Sequence, residues 1–295
     1  MTPAIEVSVI VPAKDREAFV AEAVRSALAQ DGCRLEVIVV DDGSRDGTKD
    51  AVRAIGDGRV RLVDGPGRGP AAARNSGLRA ARADLVAFLD SDDAFEPGKL
   101  ARQLALLARR PDAGLAYTGH AFFGDSARRA ESGEGGKDGA DRADGFARLW
   151  LRPYFLTSSV VVRRSLLERV GAFDESLPLA EDYDLYLRCA AAAGVAGEPE
   201  PLVRIRRHAG NLTAADRLAL AFRLKRVVRR HRTAAARELS PRDVARRLAH
   251  VDYAIGALLL DRGDARRARG YFARARAERP LWVKAWKGTL AAALR

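Results

Sequence analysis

The first ninety residues alternate between short apolar runs and longer segments with helical periodicity. The short runs favour buried strands and predict them at residues 7–11, 35–40, 60–63 and 85–89. Helices are predicted between them, at residues 17–30, 46–55 and 70–82. Such alternation indicates an α/β fold with a largely parallel sheet and helices on both faces.

The alternation becomes less regular beyond residue 90. Further helices are predicted at residues 97–109 and 181–193, and further strands at residues 115–118, 160–162 and 202–207. Residues 124–145 are rich in Gly, Ser, Asp and Arg, which predicts a mobile loop. From residue 214 the pattern is helical throughout. We therefore expect an α/β domain at residues 1–213 and an all-helical segment at residues 214–295.

The helical segment carries small, aromatic and proline residues at the offsets of a single tetratricopeptide-like helix pair. These residues are Gly256, Gly263, Ala268, Phe272, Ala275 and Pro280. One such pair cannot bury its apolar face alone. We expect it to pack on the α/β domain or on a second subunit, as in a homodimer.

The composition is that of a globular protein, since 47% of the 295 residues are hydrophobic. No run of 18 apolar residues is present, and acidic Glu6 stands where a signal peptide would have a basic end. The two cysteines, Cys33 and Cys189, suggest neither a disulfide framework nor a zinc site. These features predict a cytoplasmic protein with reduced thiols.

The positive charge is concentrated at the C-terminal end. Residues 201–295 contain 24 Lys plus Arg and 7 Asp plus Glu, whereas the rest of the chain contains 27 and 32. Such a surface attracts anionic lipid headgroups, an acidic glycan or, less specifically, nucleic acid. No nucleic-acid module is recognisable, so no specific nucleic-acid partner is expected. Arg-rich helices are equally often only solvated faces, and that alternative stays open.

The candidate chemistry begins where the apolar run at residues 85–89 ends in Asp90, Asp92 and Asp93, with no basic residue among them. Three carboxylates at the end of a buried strand repel one another unless a hard cation or hydrogen-bond donors compensate. A Mg²⁺ or Mn²⁺ ion holding a phosphate would provide that compensation. The alternative is an acidic turn that caps the following helix.

A second apolar run, at residues 36–40, ends in the same way. It leads into Asp41 and Asp42, which are followed by Gly43 and Ser44. In open α/β sheets, ligands bind outside the carboxyl ends of the strands. The two acidic clusters are therefore expected to converge on one site.

Five motifs in a fixed order give the chain a specific resemblance to a known family. They are VSVIVPAKDR at 7–16, VDDGSRDGT at 40–48, ARNSG at 73–77, DSDD at 90–93 and EDYDL at 181–185. The chain resembles the family 2 glycosyltransferases, which have the GT-A nucleotide-sugar fold, over roughly residues 5–213. The resemblance implies an inverting enzyme that uses Mg²⁺ or Mn²⁺ and a nucleotide-sugar donor.

The resemblance also implies roles for individual residues on the donor side. The donor-binding residues would be Pro12, Arg16, Asp41, Asp42, Gly43, Ser44, Arg74, Asn75, Asp90, Ser91 and Arg206. Among them, Asp42 would read the nucleobase edge and Asp90 would contact the ribose or the sugar. The metal ligands would be Asp92 and His208. Lys14 stands where the family has a tyrosine, so this chain lacks that residue for base stacking.

On the acceptor side, the resemblance implies that Asp182 is the general base and that Glu181 lies near the acceptor. Residues 155–159 and Asp174 would line the acceptor pocket. An attacking hydroxyl must lose its proton as the new bond forms, and a carboxylate within hydrogen-bond reach lowers that barrier. The alternative is that both acids only cap their helix.

Taken together, these observations predict transfer of a sugar to a hydroxyl of a glycan or lipid-linked glycan. The usual context of the family is cell-surface polysaccharide synthesis, with the basic helices touching the inner face of the cell membrane.

Two further interpretations compete with this one. Residues 67–72 formally fit a G-x-G-x-x-A fingerprint, which would suit a dinucleotide-dependent oxidoreductase, but they follow the third strand rather than the first. A non-catalytic scaffold that binds a nucleotide sugar is the other alternative, and retained Asp92 and Asp182 count against it.

Overall fold

The structure is a computed structural model that describes residues 5–124, 132–133, 145–208 and 216–294. Two compact units are present. The first comprises Met1–Gly145 and Pro153–His208, and the second comprises Phe146–Arg152 and Ala209–Arg295. The domain boundary expected between residues 213 and 214, and most of the loop expected at residues 124–145, lie outside the described residues.

The strands of the first unit form one sheet. In chain order they are Val7–Ala13 (β1), Leu35–Asp41 (β2), Val60–Asp64 (β3), Leu85–Phe88 (β4), Ala94–Phe95 (β5), Ala113–Phe123 (β6), Ser132–Gly133 (β7), Val160–Arg163 (β8) and Gly194–Arg206 (β9). Their order across the sheet is β3-β2-β1-β4-β8-β6-β9-β5, with β7 beside β6.

The described helices divide between the two units. Those with most or all of their residues in the first are Val20–Leu28 (α1), Thr48–Arg53 (α2), Pro70–Ala80 (α3), Lys99–Arg109 (α4), Arg164–Val170 (α6) and Glu181–Ala192 (α7). Those of the second are Gly145–Leu151 (α5), Arg217–Arg230 (α8), Arg232–Glu238 (α9), Pro241–Asp261 (α10), Ala265–Glu278 (α11) and Val283–Ala293 (α12).

The sheet is parallel in its first part and mixed beyond it. Strand β1 pairs in parallel with β2 and β4, and β2 pairs in parallel with β3. Strand β8 runs antiparallel between β4 and β6, while β6 and β9 are parallel. The predicted α/β class is therefore confirmed. The antiparallel direction of β8 could not be predicted, because a run of buried apolar residues does not reveal the direction of a strand.

The centre of the sheet is buried on both faces, which explains its continuous apolar runs. Every residue of β2 is buried, and in β1 only Pro12 is partly exposed. Helix α3 packs closely on β1 because Gly77 has no side chain: a Cβ there would lie 2.4 Å from Cγ2 of Ile10. This contact holds α3, which carries Arg74 and Asn75, against β1.

The second unit confirms the helical extension. Phe272 of α11 packs against Gly256 of α10 and Gly288 of α12, where a Cβ would lie 2.8 and 2.7 Å from the ring. Ala268 and Ala275 are fully buried. The small and aromatic residues thus permit the close helix contacts that the sequence pattern predicts. Among the described residues, no helix is both long enough and apolar enough to cross a membrane.

Candidate functional site

The two acidic clusters lie at the same edge of the sheet. Strands β2, β1 and β4 are adjacent and parallel, so their carboxyl ends point the same way. Asp41 ends β2 beside Ala13 of β1, and the N–H of Leu89, just before Asp90, donates to the carbonyl of Ile10. The predicted convergence of the clusters is therefore found in the structure.

Asp42 holds a glycine-rich loop in place. Its Oδ1 accepts from the N–H of Gly67 at 2.8 Å, and its Oδ2 accepts from the N–H of Gly69 at 2.7 Å. A carboxylate has about four acceptor sites, so two remain open for further donors. The same contacts occupy the N–H groups with which a dinucleotide fingerprint would bind phosphate, which argues against the oxidoreductase interpretation.

Asp41, Ser44 and Arg16 form the turn beside this loop. The N–H of Ser44 donates to Oδ2 of Asp41 at 3.3 Å, and the hydroxyl of Ser44 accepts from the N–H of Asp15 at 2.9 Å. The N–H of Arg16 donates to the hydroxyl of Thr48 at 2.7 Å. The predicted residues therefore meet, and Gly43 permits the turn because its φ is +85°.

Arg74 joins the second acidic cluster to the start of α7. It is buried and donates to Oδ1 of Asp90 and to Oε1 of Glu181, each at 2.7 Å. Burial raises the pKa of Glu181 to about 7, although the charge of Arg74 lowers it. Arg74 thus places the first turn of α7 beside Asp90.

Asn75 is committed to the loop that precedes α7. Its Nδ2 donates to the carbonyl of Phe173 and to Oε1 of Glu175, and its Oδ1 accepts from the N–H of Phe173. In this arrangement Asn75 positions the loop, and its predicted contact with the donor stays a prediction.

Asp92 and His208 are in direct contact. Oδ2 of Asp92 lies 3.0 Å from Nε2 of His208 and 3.8 Å from Nε of Arg16. This is the distance of a hydrogen bond or ion pair between the imidazole and the carboxylate. Two adjacent ligands of an octahedral ion with bonds of about 2.1 Å also lie about 3.0 Å apart, so the same spacing is compatible with two metal ligands. Among the described residues, no group of three or more His, Cys, Asp or Glu side chains could hold a metal. A cation here would therefore depend on ligand oxygens as well.

Asp93 is buried beneath the cluster. Its Oδ2 accepts from the hydroxyl of Ser158 at 2.6 Å, and its Oδ1 accepts from the N–H of Arg206 at 3.0 Å. Burial and the nearby carboxylates of Asp90 and Asp92 raise the pKa of Asp93 well above its ordinary value. Asp93 is accordingly a structural acid that fixes β9 against the cluster.

A short 3₁₀ turn, Thr157–Ser159, connects the two acidic groups of the site. The hydroxyl of Ser158 also accepts from the N–H of Asp90 at 3.0 Å, and the hydroxyl of Thr157 donates to Oδ2 of Asp182 at 2.9 Å. The sheet-edge cluster and the candidate base are thus held by adjacent residues of one turn.

The positive charge that compensates the acids comes from distant parts of the chain. In the sequence, a metal is suggested because residues 90–93 include no basic residue. In the structure, however, Arg74 pairs with Asp90, and Arg16 lies near Asp92. The side chain of Arg206 also donates to the carbonyl of Asp92 at 2.9 Å. Repulsion within the cluster is therefore partly relieved by the protein itself.

Backbone strain is concentrated around this site. Within the described ranges, the non-glycine residues with positive φ are Asp15, at 52°, and Ala180, at 63°. Asp15 adjoins Arg16, and Ala180 immediately precedes Glu181. Such residues cost about 1–3 kcal/mol each and persist where the surrounding structure requires them. Ala180 sets the angle at which α7 brings Glu181 and Asp182 to the site.

The sequence matches the family model described as Glycosyl transferase family 2 over residues 8–171, which is more than half of the chain. The chain belongs to glycosyl transferase family 2. The matched region contains both acidic clusters and the turn Thr157–Ser159.

Curated relatives support this assignment. Succinoglycan biosynthesis protein ExoO of Rhizobium meliloti (strain 1021) is 35% identical over 212 residues, which cover 64% of this chain and 57% of that protein. Succinoglycan biosynthesis protein ExoU of the same organism is 35% identical over 207 residues, covering 63% and 57%. The chain thus spans 57% of the length of these two relatives.

Solved structures confirm the GT-A fold that the resemblance implies. S. aureus TarS 1–349 in complex with UDP-GlcNAc has a TM-score of 0.72 at 19% identity, covering 98% of this chain and 89% of that one. Mannosyltransferase PcManGT from Pyrobaculum calidifontis, in complex with GDP-Man and Mn²⁺, has a TM-score of 0.59 at 25% identity, covering 99% and 81%.

The resemblance implies that residues 155–159 line the acceptor pocket, but sequence reasoning did not reveal that the turn Thr157–Ser159 also holds the acidic residues of the site. The available signal was three consecutive hydroxyl residues, Thr157, Ser158 and Ser159, directly before the apolar strand β8. Hydroxyl residues at that position cannot all face an apolar core without hydrogen-bond partners. Their partners lie at the ends of other elements, which a local pattern does not reveal.

Glu181 gives the protein a specific pH dependence. Because its pKa is about 7 when folded and about 4.5 ordinarily, the folded state holds more protons between those pH values. The stabilisation that Glu181 contributes is fully present below about pH 4.5 and is lost as the pH rises through about 7. Within that window the free energy of unfolding falls by about 1.4 kcal/mol per pH unit. Glu181→Gln is expected to remove this slope from urea unfolding measured at pH 5, 6 and 7.

Glu168→Gln is the matched control for that substitution, because the side chain of Glu168 is 67% exposed on α6. A slope that is the same in Glu181→Gln and in the unsubstituted protein would show that another group causes the pH dependence.

Ser158→Ala is expected to lower the free energy of unfolding by about 1–3 kcal/mol, because it removes the donor to Oδ2 of buried Asp93 and the acceptor for the N–H of Asp90. Ser159→Ala is the control in the same turn, since the hydroxyl of Ser159 donates only to the carbonyl of Leu156. Urea unfolding measures both variants. Equal losses would contradict a specific role of Ser158 in holding the acidic cluster.

Proposed function

We propose that the protein is a metal-dependent, inverting glycosyltransferase. It moves a sugar from a nucleotide-diphosphate sugar to a hydroxyl of a glycan or lipid-linked glycan. The observation that carries this proposal is the turn Thr157–Ser159, through which Asp90 and Asp93 on the donor side are held beside Asp182 on the acceptor side. Such a link keeps a leaving-group site and a base at a fixed separation.

The donor is proposed to bind across the carboxyl ends of β1, β2 and β4. Asp42 has acceptor capacity left for a nucleobase, and no group in the described residues donates to the buried Oδ1 of Asp41. Asp90 is 37% exposed while Arg74 holds one of its oxygens, so the other oxygen is available to a ribose or sugar hydroxyl. Arg16 and Arg206 would place positive charge near the diphosphate.

Asp92 and His208 are proposed to hold the divalent cation, whose remaining positions suit the oxygens of the diphosphate. The 3.0 Å contact between Oδ2 and Nε2 is compatible with adjacent ligands, and an imidazole beside a carboxylate suits Mn²⁺ better than Mg²⁺, which prefers oxygen ligands. When bound, the ion would stabilise the negative charge that develops on the leaving diphosphate.

Asp182 is proposed to accept the proton of the acceptor hydroxyl. Its Oδ2 accepts from Thr157 and its Oδ1 from the N–H of Tyr183, so both oxygens are oriented by the protein. Glu181 is engaged by Arg74 and is therefore the less suitable base. Attack from the face opposite the diphosphate inverts the anomeric carbon in one step.

The relatives named for succinoglycan biosynthesis support cell-surface polysaccharide synthesis as the context. A nucleotide-sugar donor is supported by the complexes of TarS with UDP-GlcNAc and of PcManGT with GDP-Man and Mn²⁺. We place the protein on the cytoplasmic side of the cell membrane, where nucleotide sugars and lipid-linked acceptors meet.

The proposal is tested by incubating the protein with UDP-, GDP- and dTDP-sugars, a glycan or lipid-linked acceptor panel and Mn²⁺. The expected result is a glycosidic product whose anomeric configuration, read by NMR, is opposite to that of the donor. A product with retained configuration would contradict the mechanism. Nucleotide binding without transfer or hydrolysis would favour the scaffold alternative.

A further inference from the structure

The apolar side chains that the second unit leaves in water are concentrated at its C-terminal end. Among the described residues, the large hydrophobic side chains that are mostly exposed are Leu281 at 95%, Val283 at 62%, Trp286 at 53%, Leu290 at 62% and Leu294 at 80%. We call this set the apolar stripe. Scattered exposed apolar residues are normal, whereas a contiguous set marks a binding surface.

The stripe is one face of α12, and its orientation is fixed by packing on the other face. Ala285 and Ala292 are buried, and Gly288 lies against the ring of Phe272. Val283, Trp286, Leu290 and Leu294 are spaced by three, four and four residues, which is the period of a single helix face. The stripe thus lies on the face of α12 opposite to the face that packs on Phe272.

Basic side chains border the stripe. The guanidinium of Arg276 lies 4.1 Å from the centroid of the Trp286 ring, and Lys284 and Lys287 occupy exposed positions of the same helix. No acidic residue occurs from 279 to 294. Glu278, two residues after Arg276, is the acidic residue next to this segment in sequence, so the surface combines an exposed apolar face, a tryptophan and an excess of positive charge.

This charge decides between the surfaces that could cover the stripe. A second copy would bring the same basic residues face to face, and the repulsion would not be relieved by any acid in the segment. An anionic bilayer satisfies both features, because apolar side chains enter the headgroup boundary while Lys and Arg meet the lipid phosphates. The N–H of Trp286 donates to the carbonyl of Pro280 at 2.7 Å, so its half-exposed ring can enter the boundary without burying an unpaired donor.

We propose that the apolar stripe binds the surface of an anionic membrane, with α12 lying in the plane of the interface. The inference stands on the second unit alone and does not require transferase activity. If the proposed function is also correct, α12 would keep the enzyme at the surface on which a lipid-linked acceptor is found.

The test is co-sedimentation of the full chain with vesicles of phosphatidylcholine alone or of phosphatidylcholine with phosphatidylglycerol. Binding is expected only to the anionic vesicles. Trp286→Ser with Leu290→Ser is expected to weaken it at least tenfold, through the loss of two inserted apolar side chains. Lys284→Gln with Lys287→Gln is expected to weaken it about 30-fold, which corresponds to about 1 kcal/mol per lysine.

Arg237→Gln with Arg242→Gln is the matched control, because it removes the same charge from exposed positions on other helices of the unit. An equal loss in this control would show that unspecific attraction of the basic tail causes binding, and would overturn the proposal. Failure of the full chain to bind anionic vesicles would overturn it as well. Sedimentation velocity without lipid tests whether copies of the chain associate with one another. Self-association that is lost in the stripe variant would show that the stripe binds a second copy, and would overturn the membrane proposal.

Nucleotide binding in solution provides a separate readout. The stripe variants should bind nucleotide as the unsubstituted protein does, because every substitution lies in the second unit. Absent nucleotide binding combined with normal vesicle binding would contradict the proposed function and leave the membrane inference standing.

Discussion

Asp92→Asn is expected to abolish the Mn²⁺-dependent part of nucleotide binding. Asparagine keeps the shape of the side chain but removes the charge, and the oxygen that now lies 3.0 Å from Nε2 of His208 would no longer be an anionic ligand. Calorimetric titration with a nucleoside diphosphate, with and without Mn²⁺, measures the effect. The affinity in the presence of Mn²⁺ should fall to the value found in chelator.

Asp93→Asn is the control within the same cluster. Asp93 is buried between the hydroxyl of Ser158 and the N–H of Arg206, and burial already raises the pKa of its carboxyl well above the ordinary value. Loss of its charge should therefore leave Mn²⁺-dependent binding in place. Retained Mn²⁺ dependence in Asp92→Asn would remove Asp92 from the metal site.

Asp182→Asn should leave nucleotide-sugar binding near that of the unsubstituted protein while transfer falls by roughly two to four orders of magnitude, the range expected for loss of a general base. The amide can still occupy the place between Thr157 and the N–H of Tyr183, so the first turn of α7 should be preserved. Single-turnover transfer and donor titration separate the two effects.

Thr157→Val is a useful companion to that substitution. It removes the hydroxyl that orients Asp182 but keeps the carboxylate, so the loss of transfer should be smaller than in Asp182→Asn. Transfer at the normal rate in Asp182→Asn would show that another group takes the proton.

The sheet-edge site was predictable because it depends on local rules. Apolar runs identify β1, β2 and β4, and the residues that follow parallel strands meet at one edge. The convergence of Asp41 and Asp42 with Asp90 and Asp92 therefore followed from sequence alone. The family assignment depends on the same residues.

Contacts between distant segments were not predictable in this way. Arg74 was expected to hold the donor, yet in the structure it lies between Asp90 and Glu181, which is 107 residues away. Asn75 is bonded to Phe173, 98 residues away, and its predicted contact with the donor stays a prediction. Neither partner leaves a periodic signal near residues 73–77, because side-chain hydrogen bonds between loops depend on the whole fold.

The helical segment illustrates the same limit. The spacing of small residues predicted close helix contacts, and the packing of Gly256 on Phe272 confirms them. The pattern did not reveal that α12 has apolar residues on two faces, since Ala285 and Ala292 on one face and Trp286 and Leu290 on the other are all apolar. Burial distinguishes the face that packs from the face that stays exposed.

The most direct test of a cation-dependent donor site is calorimetric titration of the unsubstituted protein with UDP, GDP and dTDP, with and without Mn²⁺. The account predicts tight binding of one nucleotide that is lost when Mn²⁺ is chelated, since Asp92 and His208 are placed to share the ion with the diphosphate. Absence of binding to any of the three nucleotides, or equal binding after chelation, would contradict it.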